Sequence, residues 1–285
     1  MKGNMSQSVL VITVVYNTGD VLGSFLDSLA ASTDLPPDVI VVDNASADLA
    51  VEREAVRAHG ARLIELPDNV GYGAGIAAGV QQAGAGYDYL LITNPDVVFT
   101  VGALDALVAA ASDLPNAGSL GPRILDATGA VYPSARDLPS LRTGIGHAVL
   151  GRAWPNNPWS RSYRSDRSYG PERRAAGWLS GACLLVRRSA YEAVGGFDPS
   201  YFMYFEDVDF GARLSEAGWE NVYVPAAVVT HTGAHSTSRS AHRMERVHHD
   251  SAYLYLSRKY SAWYLLPVRG ILRVALAARQ WWVVR

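Results

Sequence analysis

Cysteine is nearly absent: Cys183 is the only one in 285 residues. One thiol excludes a disulfide framework and any zinc site built on several cysteines. Long apolar runs are missing as well, and none approaches the roughly 20 residues that a membrane-spanning helix needs. The run Val9 to Val15 is too short and too β-branched for a secretory leader, and no small-residue cleavage site follows it. There is no excess of charge: 25 Lys+Arg against 27 Asp+Glu leave a net −2, which excludes a polycation built to bind nucleic acid. Internal repeats and Gly/Ser-rich linkers are also lacking. What is present is 49% hydrophobic and 18% charged residues, ample for a core and too apolar for disorder. These features predict a folded protein of a reducing, cytoplasmic compartment.

The first hundred residues alternate between apolar runs and amphipathic stretches. Leu10 to Val15 and Val39 to Val42 read as buried strands, and Arg62 to Leu66 and Tyr87 to Thr93 as a third and a fourth strand. Val21 to Ala31, Leu49 to His59 and Gly73 to Ala83 read as the helices between them. This order predicts an α/β fold with a parallel sheet covered on both faces. Ligands of such sheets bind at the carboxyl ends of the strands. Three strands end here in polar residues: Tyr16-Asn17, Asp43-Asn44 and Asn94 to Asp96. In the second half, Trp178 to Val186 reads as a strand, and Arg188 to Val194 and Asp207 to Ala217 read as helices. Val222 to Val229 holds one or two short strands around Pro225. Ser134 to Arg174 shows little periodicity and reads as a functional or mobile loop.

Four short motifs carry chemistry. Asp96, in Asn94-Pro95-Asp96, is placed either to hold a divalent cation against a diphosphate or simply to make a turn. Glu206-Asp207-Val208-Asp209 follows the aromatic run Tyr201 to Phe205. Capping a helix start needs one acid. Three acids beside apolar neighbours, which raise a carboxylate's pKa toward the general-base range, favour catalysis. Arg213 stands four residues beyond Asp209, the spacing of an ion pair on one helix face. His231 ends an apolar strand and reads as structural unless Asp96 holds a metal that an imidazole helps to complete. His235 and Ser236 suit a phosphate, while His242, His248 and His249 read as a solvated helix face. Gly71-Tyr72-Gly73-Ala74-Gly75 matches a dinucleotide fingerprint only weakly, since no acid closes the next strand. A close approach to a nucleotide, or helix–sheet packing, fits it as well.

Thr13 to Asn17, Val41 to Ser46, Asn69 to Gly73, Asn94 to Asp96, Gly181 to Arg187, Gly195 to Asp198 and Phe205 to Asp209, taken in order, resemble the inverting family 2 glycosyltransferases over roughly residues 8 to 240. The resemblance implies the GT-A fold, a Rossmann-like mixed sheet flanked by helices. Residues 1–120 would bind the nucleotide sugar, 121–240 the acceptor, and 241–285 form a C-terminal helical extension. It implies that Asp43 binds the pyrimidine base, with Val15, Tyr16, Asn17, Asn44 and Ser46 around it. Asn69, Gly71, Tyr72 and Gly75 then belong to the loop that closes over the nucleotide. Asn94, Pro95 and Asp96 take the place of the family's Asp-x-Asp motif, with Asn94 departing from the first acid. Asp96 and His231 would hold a divalent metal, Mg²⁺ or Mn²⁺. Asp207 becomes the general base, flanked by Glu206 and Asp209, and Trp178, Ser180 and Gly181 face the acceptor. Residues 131–136, Trp154-Pro155, Asn157-Pro158-Trp159 and residues 177–181 are similar to the rhamnosyltransferase branch of the family. That similarity implies transfer of L-rhamnose from dTDP-L-rhamnose to GlcNAc-diphosphoryl-polyprenol in cell-wall linker synthesis. The alternative is another sugar, drawn from a UDP- or dTDP-sugar, on a polysaccharide or lipid-linked acceptor.

No carboxylate follows Asp250, whereas Arg258, Lys259, Arg269, Arg273, Arg279 and Arg285 do. Trp263, Tyr264, Leu265, Leu266, Trp281 and Trp282 are interleaved with them. This composition suits an anionic membrane surface or a helix packing on the domain. With a lipid-linked acceptor, it predicts a cytoplasmic protein held peripherally on the inner face of the plasma membrane. A homo-oligomer is compatible with these features. Two other classes stay open: a dinucleotide-dependent oxidoreductase using Gly71 to Gly75, and a non-catalytic nucleotide-sugar-binding protein, suggested by Asn94.

Overall fold

A computed structural model describes residues 7–140, 170, 172–233 and 241–283, without the side chains of 241–243 and 277–283. Strand β1 (Val9–Val15) lies between β2 (Asp38–Asp43) and β4 (Tyr89–Thr93), parallel to both, and β3 (Arg62–Glu65) extends the parallel set beyond β2. Helices α1 (Val21–Ala30), α2 (Ala50–Ala58) and α3 (Tyr72–Ala83) make the crossovers. The period-2 alternation of β1 divides the core between the two faces. Val11 and Val15 pack with Leu22, Phe25 and Leu26 of α1, while Leu10, Ile12 and Val14 pack with Ile76 and Val80 of α3.

Beyond β4 the sheet becomes mixed. Strand β11 (Cys183–Arg187) runs antiparallel to both β4 and β6 (Ala117–Leu125). Strand β12 (Glu220–His231) is parallel to β6, and β5 (Val97–Phe99) is antiparallel to β12. The order is β3-β2-β1-β4-β11-β6-β12-β5, with β7 (Val131–Tyr132) on β6 and β9 (Arg174–Ala176) on β12, ten strands in all. A separate ladder joins β8 (Ala135–Arg136) to β10 (Trp178–Leu179). The remaining helices are α4 (Ala103–Asp113), α5 (Arg188–Ala193), α6 (Glu206–Glu216), α7 (Ala241–Lys259) and α8 (Leu266–Val283). A 3₁₀ turn, Trp263–Leu265, leads from α7 into α8.

Several elements differ from the sequence expectation. The strand expected over Trp178 to Val186 is two strands, parted by a turn at residues 180–182. Of the one or two short strands expected around Pro225 there is one, β12, longer at both ends than Val222 to Val229, and its register with β6 shifts between Val224 and Val228. Proline has no N–H to give to a ladder, so the strand bulges past it. Residues 97–125 hold β5, α4 and β6, none of which stood out from sequence. The expected loop over Ser134 to Arg174 begins in β8 and ends in β9. Trp154, Trp159, His235 and Ser236 lie outside the described residues, as does the side chain of His242. His248 is exposed, but His249 is buried, contrary to a solvated face. The reason is that α7 packs on the domain: Tyr255 joins a cluster with Tyr201 and Val208, and Ser251 Oγ donates to the Met203 carbonyl at 2.9 Å.

Buried Asn221 ties β12 to its surroundings. Its Oδ1 accepts from Ser119 Oγ at 2.7 Å, and its Nδ2 donates to the carbonyls of Gly177 (3.1 Å) and Gly211 (3.0 Å) and to Ser215 Oγ (3.1 Å). Asn221→Leu strands these partners without replacing them and is expected to cost about 2–4 kcal/mol. Urea unfolding measures the loss, and a change below about 0.5 kcal/mol would contradict this bonding role.

Candidate active site

The carboxyl ends of β1 and β2 build one polar cluster. Asp43, buried at the end of β2, accepts the Ser46 N–H on both carboxylate oxygens, each at 3.1 Å. Ser46 Oγ in turn accepts the Asn17 N–H at 2.7 Å, and Asn17 Oδ1 accepts the Ala47 N–H at 3.0 Å. Asn44 holds its backbone N–H on the Val15 carbonyl at 2.9 Å. Tyr16 is 41% exposed beside this turn. Asp43 and Ser46 line an open, polar concavity with Arg53, Glu65 and Pro67.

A continuous set of hydrogen bonds leads away from this cluster. Asn44 Nδ2 donates to Asn69 Oδ1 at 3.0 Å and to the Gly71 carbonyl at 3.2 Å, while Asn44 Oδ1 accepts the Val70 N–H. Gly71 has φ +90°, and a Cβ there would lie 2.3 Å from the Phe202 carbonyl oxygen, so only glycine fits. Next to it, the Tyr72 N–H donates to that same carbonyl at 2.9 Å, and Tyr72 Oη donates to the Gly181 carbonyl at 2.8 Å. The Gly181 N–H donates to Asp207 Oδ2 at 2.9 Å. One residue on, the Ala182 carbonyl accepts the Asn94 N–H at 2.9 Å. The turn between β10 and β11 therefore touches α3, the end of β4 and the start of α6.

Burial shapes the acids at the start of α6. Glu206 is pushed up to about 8, first by burial and then by the charge of Asp207, and its Oε2 has no hydrogen-bond partner among the described residues. Asp207 is also raised by burial, against which the N–H groups of Gly181 and Val208 and the charge of Arg136 act. Val208 N–H reaches Asp207 Oδ1 at 2.8 Å, so both carboxylate oxygens are oriented by backbone. Asp209 is committed elsewhere: its Oδ2 pairs with Arg213 Nε at 2.7 Å, as the spacing predicted, and its charge acts on Tyr201 and Tyr255.

Pairing of β12 with β5 sets His231 opposite Val97, one residue past Asp96. His231 Nε2 lies 3.1 Å from Asp96 Oδ1 and 3.2 Å from Asn94 Nδ2. Among the described residues no group of three His, Cys, Asp or Glu is gathered for a metal. A carboxylate and an imidazole converging at this distance nevertheless fit a divalent ion that takes its other ligands from a diphosphate and water.

Other expected residues have visible structural work. Gly75 packs α3 on the sheet, where a Cβ would stand 3.0 Å from Val14. Trp178 packs against Gly211 and donates Nε1–H to the Asp137 carbonyl at 3.2 Å. Ser180 N–H donates to the Ser134 carbonyl at 2.8 Å, and Pro95 is half-buried in the turn after β4. Sequence reading missed the contacts made through the Phe202, Gly181 and Ala182 carbonyls, because a peptide group carries no residue signal.

A mixed sheet with polar clusters at its carboxyl edge, beside which stand buried Glu206 and half-buried Asp207, has the layout of the GT-A glycosyltransferase fold. Residues 6–248 match the family described as glycosyltransferase like family 2, and the chain belongs to that family. It is 46% identical over 290 residues to the N-acetylglucosaminyl-diphospho-decaprenol L-rhamnosyltransferase of Mycobacterium tuberculosis, covering 99% of this chain and 94% of that protein. The rhamnosyltransferase WbbL of Escherichia coli is 32% identical over 173 residues, 60% of this chain and 62% of that one. Among solved structures, the mannosyltransferase PcManGT of Pyrobaculum calidifontis, in complex with GDP-Man and Mn²⁺, superposes with a TM-score of 0.58 at 18% identity. The match covers 96% of this chain and 71% of that one. GalNAc-T7 with UDP, GalNAc and Mn²⁺ gives a TM-score of 0.60 at 16% identity, over 80% and 44% of the two chains.

The protonation of Glu206 has a measurable consequence. An ordinary glutamate ionises near 4.5, whereas the native protein holds this proton to about 8. Between those values the native state binds more protons than the unfolded state, so this group makes stability fall as pH rises. Glu206→Gln is neutral throughout, and its Tm relative to the unmodified protein is expected to rise from about pH 5 to about pH 8. A constant Tm difference across that range would contradict burial as the cause.

Proposed function

We propose that this protein is an inverting glycosyltransferase that moves L-rhamnose from dTDP-L-rhamnose to N-acetylglucosamine on a polyprenyl diphosphate. The rhamnosyl group and the acceptor rest on the 46% identity to the mycobacterial rhamnosyltransferase over nearly the whole of both chains, and the dTDP carrier on what the resemblance of the sequence motifs implies. The observation that carries the chemistry is the half-buried Asp207 carboxylate, oriented by two backbone N–H groups beside the Asn94–Ala182 contact.

In this reading Asp43 and the Tyr16–Asn17 turn receive the pyrimidine nucleoside, and the loop at Asn69 to Tyr72 covers the diphosphate. Asp207 accepts the proton of the acceptor hydroxyl, whose oxygen attacks the anomeric carbon in line and inverts it. Burial makes this carboxylate more basic than an exposed aspartate, as a general base requires. Its bonds to Gly181 and Val208 hold it in one orientation, so little reorganisation accompanies the transfer. Glu206, protonated beside it, adds no second negative charge to the pocket. Asp96 and His231 would hold a divalent cation, which when bound neutralises charge on the departing diphosphate.

The C-terminal hairpin is assigned to an anionic membrane surface. Among the described residues no helix is long and apolar enough to cross a membrane. Trp263 is 81% exposed, and Tyr264, Leu266, Ile271 and Val274 are exposed with it. Aromatic and aliphatic side chains interleaved with basic ones suit the headgroup region.

Two measurements test this reading. Asp207→Asn is expected to lower turnover of dTDP-rhamnose by about 10²–10⁴-fold while thermal stabilisation by the donor persists. Full activity in that variant would refute the base assignment. Sedimentation with vesicles is expected to capture the protein on anionic but not neutral lipid, less so at high salt. Trp263→Ala with Tyr264→Ala should weaken capture, and unchanged capture would refute the surface assignment.

A further inference from the structure

Residues 131–136 take no part in the mechanism above, yet they are docked directly on the turn that orients Asp207. The Ser180 N–H donates to the Ser134 carbonyl, and the Gly177 N–H donates to the Arg136 carbonyl, both at 2.8 Å. Arg136 pairs with Trp178 in the β8–β10 ladder. Its guanidinium lies 5.9 Å from the Tyr132 ring centroid and 5.8 Å from that of Trp178, within the range of a cation–π contact. Its Nε–H donates to the Pro133 carbonyl at 2.7 Å, which fixes the plane of the fork. Among the described residues no carboxylate forms an ion pair with it. The side chain is half-buried, beside a Tyr132 ring that is itself exposed.

We infer that Arg136, held between Tyr132 and Trp178, binds a phosphate of the acceptor's diphosphate. This inference rests on the lipid-linked acceptor proposed above. A pyranose whose ring hydroxyl reaches Asp207 carries its anomeric phosphate about one ring-width away. Arg136 is near enough for its charge to act on Asp207, and the two are linked through the residue 177–181 segment. A planar guanidinium matches two phosphate oxygens at once. The aromatic faces beside it restrict its rotamers, so less entropy is lost on binding. Asp43, Asn69 and Gly71, the residues assigned to the donor, stand at the far end of the hydrogen-bond path through Tyr72.

The test uses the full chain and two probes: a short-chain prenyl-diphospho-GlcNAc and an alkyl β-GlcNAc without phosphate. The unmodified protein should bind the first at least about 10-fold more tightly, the range of a charge-assisted hydrogen bond. Arg136→Gln should remove that preference while leaving dTDP affinity unchanged. Should that variant fail to fold, Arg136→Lys carries the test, with a preference reduced several-fold because an ammonium cannot replace the fork. Equal binding of the two probes by the unmodified protein would overturn the inference. So would an intact preference in the folded variant, or a loss of dTDP affinity in place of acceptor affinity. Turnover of dTDP-rhamnose is measured separately: its absence refutes the donor assignment and leaves the comparison of the two probes decisive for Arg136.

Discussion

The Gly181 and Ala182 peptides meet three other elements within one turn. Gly181 gives its N–H to Asp207 and its carbonyl to Tyr72, while Ala182 gives its carbonyl to Asn94. That turn is placed by one strand pairing, β11 against β4, in which Cys183 stands opposite Thr93. A slip of one residue would reverse which side chains of β11 face each half of the core. Leu184 and Val186 belong to one core cluster and Cys183 and Leu185 to the other, so the hydrophobic pattern itself opposes the slip. The register that packs the core is thus the register that assembles the polar contacts. This makes the geometry at Asp207 a consequence of core packing rather than of loop chemistry.

The same region stores backbone strain. Tyr204 and Phe205, immediately before the acids, have φ of +64° and +66°. Non-glycine residues in this conformation cost on the order of 1–3 kcal/mol each. Rings from α7 pack on both: His248 lies 5.4 Å from Tyr204 and 5.5 Å from Phe205, and Tyr255 lies 5.8 Å from Phe205. The left-handed pair turns the chain sharply into α6 and carries Glu206 into a buried position. Helix α7 therefore supports the acid pair although it contributes no side chain to it.

Sequence alone made the parallel half of the fold legible, because β1, β2 and β4 are apolar runs with turn residues at their ends. The mixed half was harder to read. Strand β6 carries Gly118, Gly121 and Pro122 inside a nine-residue strand, which hides its pattern, and the Ser180-Gly181 turn before antiparallel β11 lies between apolar residues that read as one continuous strand. At the site, the acids of residues 206–209 are visible from their clustering and the Asp209–Arg213 pair from its spacing, but only the folded chain shows Asp209 committed to that pair. Asn221 was not visible as a structural centre, because its partners are distant in sequence or are backbone carbonyls. Tyr72 was placed with the nucleotide loop, and only the folded chain shows its hydroxyl reaching across to Gly181.

Of the two readings of the C-terminal segment, packing on the domain is seen for α7, and the proposed lipid contact is left to α8. Tyr255 and Ala252 of α7 are buried in the domain, and Arg258 pairs with Asp198 at 2.7 Å. Helix α8 instead exposes Ile271 and Val274, and Arg273 joins it back to Asp250 of α7 at 2.9 Å. An amphipathic helix on a membrane needs a rigid connection to the domain if it is to orient an active site. Here that connection is α7, whose opposite contacts support the strained turn before Glu206. In the membrane-bound reading proposed above, a force on α8 would reach the acid pair through one helix and a few aromatic rings. For an enzyme whose acceptor is anchored in lipid, surface and site have to share an orientation, and a common helix is the shortest physical means of imposing it.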